Sequence, residues 1–436
     1  MERAILRKLE EWVTAPDRKP LVLQGARQVG KTWAAMELGR RRFEEVAYID
    51  FMVDEDMKAV FEGSLDPNRL LNAISIRTGR DAGSPRVLVV LDEIQECPRA
   101  ITSLKALQQS RPEVPIIAAG SLLGVALHGS REGVSFPVGK VDHLRMFPLT
   151  FLEFLSAMGE ERLADLVSRC EWSLIDAFSG SLTDLLRTYY FVGGMPEAIA
   201  RYLESKSLVD ARKVQSRLLN DYELDFSKYA TPALTERIRL VWKALPGLLA
   251  RENKKFIYSA IREGARARGY EEATQWLCDA GLALRVRRIT KPGVPLSGYE
   301  DKDAFKVYLH DVGLLGAASG LEASTLVEGN RTFTEFKGAL AENYVCQQLH
   351  AAGLGLHYWS AGKSSGEVDF VYDHAGKVFP VEVKAEVNLR AKSLRSFVSQ
   401  YGIDRGIRLS LAAFEEQPWV VNVPLYAANT LPNAIR

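Results

Sequence analysis

The sequence is poor in the residues that build cross-linked or metal-clipped scaffolds. Its 436 residues include four cysteines, Cys97, Cys170, Cys278 and Cys346, widely separated and without a C-x-x-C pair. That spacing excludes a disulfide framework and a thiolate zinc site, and leaves buried thiols in a reducing compartment as the simple reading. The six histidines show no H-x-x-x-H spacing, so none is assigned to a metal. Long apolar runs are missing as well. The longest uncharged stretch, Val114 to Ser130, is interrupted by Pro115, Gly120, Gly124 and Gly129 and is too short and broken to span a bilayer. The opening residues, Met1 to Glu10, are charged and amphipathic, without the apolar core of a signal peptide. A cytoplasmic location and no membrane partner are therefore expected. Nor does one sign of charge dominate. The formal net charge is +1, which excludes a global field drawing the chain onto nucleic acid or membrane.

What is present is ordinary in bulk and organised along the chain. A hydrophobic content of 47% and a charged content of 25% suit a soluble globular protein, and the length asks for two to four domains. In the first third, Leu21 to Leu23, Val46 to Ile49, Val87 to Leu91 and Ile116 to Ala119 read as strands, with helical stretches such as Arg99 to Gln109 between them. Continuous apolar runs separated by helices predict a parallel sheet covered on both faces. From Phe147 the pattern turns helical, over Leu149 to Met158, Glu161 to Arg169, Leu182 to Tyr190, Ala198 to Ser205 and Val209 to Asp221. Residues 241–318 read helix, helix, strand, strand, the order of a winged helix, with Leu282 to Ile289 and Phe305 to Leu309 as the strands. A last α/β segment follows. The expected division is 1–148 for the first α/β core, 149–240 for a helical lid, 241–320 for a winged-helix-like region and 325–436 for the last domain.

Residues 25–32 read Gly-Ala-Arg-Gln-Val-Gly-Lys-Thr, a G-x-x-x-x-G-K-[ST] motif between a predicted strand and a predicted helix. Gly25 and Gly30 let the backbone of Ala26, Arg27, Gln28 and Val29 fold around phosphates without Cβ clashes. The helix N-terminus that follows favours an anion. Lys31 reaches β- and γ-phosphates and Thr32 offers its hydroxyl to Mg²⁺. The second half of the site is Val87 to Glu93. A carboxylate ending a buried strand is costly unless it is hydrogen-bonded or holds a cation, so Asp92 is the expected magnesium-side carboxylate and Glu93 the residue that orients water. Read alone, Asp92-Glu93 is equally a solvated pair opening a loop. Ser121, after the strand Ile116 to Ala119, stands where the γ-phosphate is sensed, or is simply a turn serine. Arg99, Arg131 and Arg145 are candidates for an arginine that meets transition-state charge. ATP and Mg²⁺ are the expected cofactors.

The phosphate loop, Leu91 to Gln95, Gly120 to Leu123, Phe147 to Phe154, Gly193 to Glu197 and His310 to Leu315 resemble a prokaryotic AAA-type ATPase family along essentially the whole chain. The resemblance implies an α/β architecture: a P-loop NTPase (AAA-type) parallel sheet, a helical lid, a winged helix and a C-terminal restriction-endonuclease-like domain of unknown function. It also implies an oligomer. By similarity to ATPases with a Gly-x-Pro element, Pro196 packs on the adenine. As a sequence position it reads equally as the first turn of a helix.

Two further features bear on a partner. From Arg251 to Lys291 there are ten Lys/Arg and five Asp/Glu. Arg262, Arg266 and Arg268 precede the presumed second helix, and Arg285, Arg287 and Arg288 sit on the first wing strand, residues of the type that contact DNA phosphates. Towards the C-terminus, Gly366 to Tyr372 and Lys377 to Lys384 flank the turn signal Asp373-His374-Ala375-Gly376. A turn centred between His374 and Ala375 sets Asp369 opposite Pro380, and places Asp369, Glu382 and Lys384 on one face. Glu342 shares a helix stripe with Val345 and Leu349. This Asp-x12-Glu-x-Lys pattern resembles a restriction-endonuclease-like core, which implies that Asp369 and Glu382 hold Mg²⁺, with Lys384 positioning water and Glu342 completing the site. Three functions compete: an AAA-type ATPase acting through a nuclease-like domain on DNA, an ATP-gated DNA nuclease, and an assembly or signalling switch without nucleic acid.

Overall fold

The computed structural model describes residues 2–121, 125, 137–251, 255–256, 261, 267–322, 334–361, 366–387 and 389–435. They fall into two compact units. One comprises 2–147 together with 279–281, and the other 148–278 with 282–435.

The N-terminal unit is a parallel sheet in the order β2-β3-β4-β1-β5. Its strands are β1 (Leu21–Gln24), β2 (Glu45–Asp50), β3 (Val87–Asp92), β4 (Ile116–Gly120) and β5 (Asp142–Arg145). Each apolar run read from the sequence forms a strand here, and every residue of β3 is buried, as a strand covered on both faces requires. The polar β5, Asp-His-Leu-Arg, carries no such run, yet it pairs with β1 in parallel, with Gln24 level with Arg145. Helices α1 (Ala4–Thr14), α2 (Lys31–Arg42), α3 (Glu55–Glu62), α4 (Pro67–Thr78) and α5 (Pro98–Ser110) complete the unit. The ends of α4 show why its sequence stops and starts where it does. Asp66 accepts the Arg69 amide, Pro67 takes the first turn and Gly79 closes the helix in the left-handed region at φ 69°. The carboxyl ends of β1, β3 and β4 carry the phosphate loop, Asp92 and Ser121 to one edge of the sheet, where ligands of open α/β sheets bind.

The second unit opens with helices α6 (Phe151–Ala157), α7 (Glu161–Ser168), α8 (Trp172–Ala177), α9 (Ser179–Val192), α10 (Pro196–Ser205), α11 (Leu208–Tyr229), α12 (Pro232–Leu249) and α13 (Ala267–Asp279). It continues with α14 (Val312–Ala318), α15 (Thr334–Ala351) and α16 (Lys392–Tyr401). A capping box joins Thr150 and Glu153 at the start of α6. Two of the short motifs noted in the sequence meet at one buried carboxylate. Asp311 accepts the Gly194 amide at 2.6 Å and the Leu314 amide at 2.9 Å. Gly193 lies at φ 70°, and an added Cβ would stand 2.3 Å from the Asp311 Oδ1, so only glycine fits there. Burial pushes the Asp311 carboxyl up to about 6.

The strands of this unit are β6 (Ala283–Ile289), β7 (Glu300–Leu309), β8 (His357–Ser360), β9 (Glu367–His374), β10 (Lys377–Val383), β11 (Gly406–Ser410), β12 (Glu415–Glu416) and β13 (Val420–Pro424). They form one sheet in the order β12-β13-β11-β10-β9-β8-β6-β7. The hairpin expected to be a wing is indeed antiparallel, β6 with β7. It does not stand apart, however. The outer edge of β6 pairs in parallel with β8 over Arg287 to Ile289, which satisfies backbone groups that an isolated wing would leave open. A second difference concerns the β9–β10 turn. It is centred between Ala375 and Gly376, both at positive φ, so Pro380 faces Val371 and Val381 faces Phe370. The expected register, with Asp369 opposite Pro380, is off by two residues. A two-residue turn with both residues left-handed matches strand twist, and the smaller Ala-Gly pair takes it in place of His-Ala. Because side chains alternate with period two, this shift leaves Asp369 on the face first assigned to it. Among the described residues no helix is long and apolar enough to cross a membrane.

Candidate functional site

The phosphate loop follows β1 directly and feeds α2. Gly30 caps α2 at φ 98°, and Gln28 is also left-handed at φ 65°. A Cβ on Gly25 would stand 2.3 Å from the Met146 carbonyl oxygen, so the loop's first glycine is fixed by the neighbouring β5 end. Arg3, a buried residue that no sequence signal marks, donates to the Val29 carbonyl at 3.0 Å and the Phe147 carbonyl at 2.7 Å. It clamps the loop from behind. Ala26 and Val29 are buried, while Gln28 is exposed and Arg27 half-buried.

Lys31 is turned inwards, donating to the carbonyls of Gly25 at 3.1 Å and Ala26 at 2.9 Å. Burial lowers its ammonium to about 8, with Glu93 and Asp92 pulling the other way. Thr32 and Asp92 are brought together: the hydroxyl donates to Asp92 Oδ2 at 2.6 Å. Asp92 is 4% exposed. Its Oδ2 also accepts the Tyr48 hydroxyl at 3.1 Å, and its Oδ1 the Glu93 amide at 2.9 Å. Tyr48 ends up on the neighbouring strand β2, level with Val90, a relation that needs the strand order to be seen. Desolvation and Asp92 raise the Tyr48 phenol, so it stays a donor.

Glu93 adopts φ 46°, ψ 44°, a left-handed conformation that a non-glycine residue holds at a cost. Its carboxylate accepts from the Gln95 amide side chain and from the Ser121 hydroxyl at 3.4 Å. Glu93 and Ser121, on separate strands' ends, thus meet in front of the loop. Of the arginines, Arg99 is occupied inside the unit, donating to the carbonyls of Phe61 and Gly63 at 3.2 and 3.0 Å. Arg145 ends β5 beside Gln24. Arg131 lies outside the described residues. Pro196 occupies the first turn of α10 and belongs to the other unit from the phosphate loop.

Residues 17–155 match the family model of an AAA domain. The N-terminal unit is an AAA-type ATPase domain. Residues 183–325 match a domain of unknown function (DUF8612) and residues 337–426 another (DUF4143), and the sheet of the second unit takes strands from both. No curated protein matches the chain. Among solved structures, a Walker-type ATPase of Pyrococcus abyssi is similar at 15% identity over 73% of this chain and 95% of that one, with a TM-score of 0.44. The Aeropyrum pernix ORC1 protein, solved in complex with DNA, aligns at 16% identity over 73% and 91%, with a TM-score of 0.30. ORC2 of the same organism, with ADPNP and ADP, aligns at 14% over 79% and 93%, also at 0.30. The AAA assignment rests on the family match and the loop's geometry, not on these alignments.

The second unit gathers the other predicted group. Lys384 Nζ lies 2.7 Å from Glu382 Oε1, and Asp369 Oδ2 accepts the Val383 amide at 2.8 Å. Glu342, on α15, accepts from the Tyr308 hydroxyl at 3.3 Å. Two members were not anticipated. Glu367 stands two residues before Asp369 on β9, a period-two signal open to reading. Lys306, on β7, bonds Glu367 and is fully buried. Burial alone would lower its ammonium, but Glu367, Glu342 and Asp369 together hold it above the usual range. Glu382 is 8% exposed and its Oε2 has no partner. Burial pushes its carboxyl up, and Glu342 and Glu367 add to this against Lys384.

As they stand, Glu382 and Glu367 lean on lysines. Among the described residues no three His, Cys, Asp or Glu side chains converge as a metal cage. Two wing arginines are paired in the sheet, Arg287 with Glu300 at 3.4 Å and Arg288 with Asp301 at 2.6 Å, while Arg285 lies over the Phe305 ring at 4.7 Å with its buried Nε and Nη2 lacking hydrogen-bond partners. Arg262 and Arg266 lie outside the described residues, as does the side chain of Arg268.

Proposed function

We propose that the chain binds and hydrolyses ATP with Mg²⁺ and couples this to a nuclease-like C-terminal unit acting on DNA, in an oligomer. The observation that carries the ATPase reading is the 2.6 Å contact between Thr32 and Asp92. Two oxygen donors that a hard cation takes are already in register, one at the start of α2 and one at the end of β3. Thr32 and Asp92 would hold a magnesium ion, which would supply neutralisation of phosphate charge. Lys31 exchanges its two carbonyl contacts for phosphate oxygens, and the backbone from Gly25 to Gly30 cradles the anion. Glu93 orients the attacking water, while Ser121, already against Glu93, faces the γ-phosphate. Of the two candidate arginines among the described residues, Arg99 is occupied by backbone carbonyls, and Arg145, level with Gln24 at the end of β5, is the one assigned to meet that phosphate's charge.

For the C-terminal unit, the unpartnered Oε2 of Glu382 amid Glu342, Glu367 and Asp369 supports a divalent-cation site in which Asp369 and Glu382 are the ligands and Lys384 holds water. A divalent cation held by Asp369 and Glu382 would supply Lewis-acid chemistry to a phosphodiester and to a water held by Lys384.

A second reading, an assembly or signalling switch without nucleic acid, is favoured by one observation: Arg287 and Arg288 are paired with Glu300 and Asp301 inside the sheet. ATP turnover and nucleotide binding by Lys31→Ala and Glu93→Gln test the ATPase reading. Lys31→Ala is expected to weaken binding. Glu93→Gln is expected to keep it and slow hydrolysis by about a hundredfold or more, and turnover at the wild-type rate rejects Glu93 as the water-orienting residue. Stimulation of turnover by DNA separates the first reading from the second.

A further inference from the structure

We propose that Lys306 is a built-in counter-ion of the carboxylate cluster, a positioning residue that holds the cluster at the charge suited to a single divalent cation. This rests on the cation site proposed for Asp369 and Glu382 and goes beyond it. Four carboxylates, Glu342, Glu367, Asp369 and Glu382, act electrostatically on two ammonium groups, Lys306 and Lys384. The four carboxylates outnumber the two ammonium groups by two, a stoichiometry that suits one divalent cation. The two lysines are not equivalent. Lys384 is partly exposed and adjoins Glu382 on its own strand. Lys306 has no exposed surface and bonds Glu367 from β7, across the sheet order from β9. Its ammonium also lies 4.9 Å from the centre of the Tyr358 ring, whose face favours a cation. A buried ammonium without such partners is costly, so β7 carries Lys306 because the carboxylates stand there.

Among the described residues, the buried carboxylate oxygen of the cluster without a hydrogen-bond partner is Glu382 Oε2, on a side chain nine-tenths buried. Lys306 does not reach it and bonds Glu367 instead. The lysine therefore neutralises charge at Glu367 and leaves Glu382 Oε2 for a cation. The strand that supplies this charge belongs to the hairpin read from the sequence as a wing. That hairpin joins the C-terminal sheet by pairing β6 with β8, and so delivers Lys306 to the cluster. The chemistry gives the hairpin a role besides DNA contact.

The test is Mn²⁺ binding by calorimetry and electron paramagnetic resonance, on the nucleotide-free full chain carrying Asp92→Asn to silence the phosphate-loop metal position. In that background the cluster is expected to bind one Mn²⁺, lost in Asp369→Asn. Lys306→Met is expected to bind Mn²⁺ at least about tenfold more tightly, because a charge that competes with the metal is removed. Lys306→Arg is expected to stay within about twofold of the parent, a rescue that a packing role does not produce. Should Lys306→Met fail to fold, Glu367→Gln gives the opposite arm. It leaves Lys306 in excess and is expected to weaken Mn²⁺ at least about tenfold, and Glu367→Gln with Lys306→Met returns the affinity to the parent value. Unchanged affinity in folded Lys306→Met or in Glu367→Gln overturns the counter-ion role and leaves the cation site standing. Absence of Mn²⁺ binding in the parent overturns both.

Discussion

Asp92 and Glu382, one in each unit, are buried to a similar degree, at 4% and 8% exposure, and are treated differently. Asp92 ends a strand and has every oxygen partnered, by the Thr32 and Tyr48 hydroxyls and the Glu93 amide. Two of its donors are neutral hydroxyls that can turn, so it can exchange a hydroxyl contact for a cation with little rearrangement. Glu382 has one oxygen against Lys384 and one against nothing. Burial and its carboxylate neighbours push it towards protonation. The first site is pre-arranged, with its ligands waiting. The second leaves one carboxylate oxygen without a hydrogen-bond partner, which on the proposed reading a cation would satisfy. A phosphate loop gains from rigidity because its anion always presents the same shape, whereas a carboxylate cluster gains from an energetic need that only the cation meets.

The largest effect expected is the separation of the two sites. Asp92→Ala should reduce ATP turnover by about a thousandfold, since a magnesium ion contributes several kcal/mol to charge stabilisation. It should leave Mn²⁺ binding at the C-terminal cluster unchanged. Asp369→Ala should do the reverse. A loss of ATP turnover beyond about twofold in Asp369→Ala breaks the comparison, because the two carboxylates then serve one reaction.

Next in size is the joint at Asp311, a third buried carboxylate that stands between the other two in kind. It is fully satisfied, by amides that cannot turn away. Gly193→Ala drives a methyl against its oxygen and forces a strained φ, and should lower stability by about 3 kcal/mol, seen as a lower denaturation midpoint at unchanged slope. The sign of the pH effect follows from its direction. The folded-state carboxyl titrates near 6, above its unfolded value. Its contribution is therefore complete below the unfolded value of about 4 and is lost as pH rises through about 6. Asp311→Asn should flatten that part of the stability curve.

Lys31 gives a third, smaller effect. In the free protein its ammonium titrates near 8, and bound phosphates favour the charged form. ATP affinity is then flat below about pH 7 and falls above about pH 8, by at most about tenfold per pH unit. Binding at pH 9 should take up a proton, measured by calorimetry in buffers of different ionisation enthalpy. A pH-independent affinity between 7 and 9 sinks this account of the inward-turned lysine.

The two sites also differ in how legible they were. The phosphate loop lies in eight consecutive residues, and its partners Asp92 and Glu93 end an apolar strand, so local pattern reveals nearly all of it. Arg3 and Tyr48 escape because their roles depend on which strands neighbour β1 and β3. In the second unit the alternation around Asp369 and Glu382 marks the face correctly even though the turn is two residues off. Lys306 escapes for a physical reason. In Phe305 to Leu309 a lysine between apolar neighbours reads as the solvent side of a wing strand, and only the pairing of β6 with β8 turns that side inwards. β5 has almost no apolar pattern and joins the sheet through its pairing with β1. The charge excess from Arg251 to Lys291 is real in the sequence, but composition does not show whether its arginines already have partners.

The smallest effect concerns those arginines. Arg287 and Arg288 bind Glu300 and Asp301 across the β6–β7 pair, both ends half-exposed. Pairs of that exposure contribute at most about 1 kcal/mol, so Arg287→Ala with Arg288→Ala should lower the denaturation midpoint slightly. If DNA is bound elsewhere on the chain, affinity should change by less than about twofold and the dependence on salt should keep its slope. The slope is the sharper readout, because an arginine that neutralises a phosphate contributes about 0.9 to it on duplex DNA, whatever its effect on folding. A fall of about two in the slope, with the fold intact, places DNA on the hairpin. Glu300 and Asp301 then act as stand-ins for phosphates in the free protein, and Glu300→Gln with Asp301→Asn should tighten DNA by releasing the arginines. An unchanged slope in both double variants assigns the hairpin to the sheet, with Lys306 as a charge it delivers to the carboxylates.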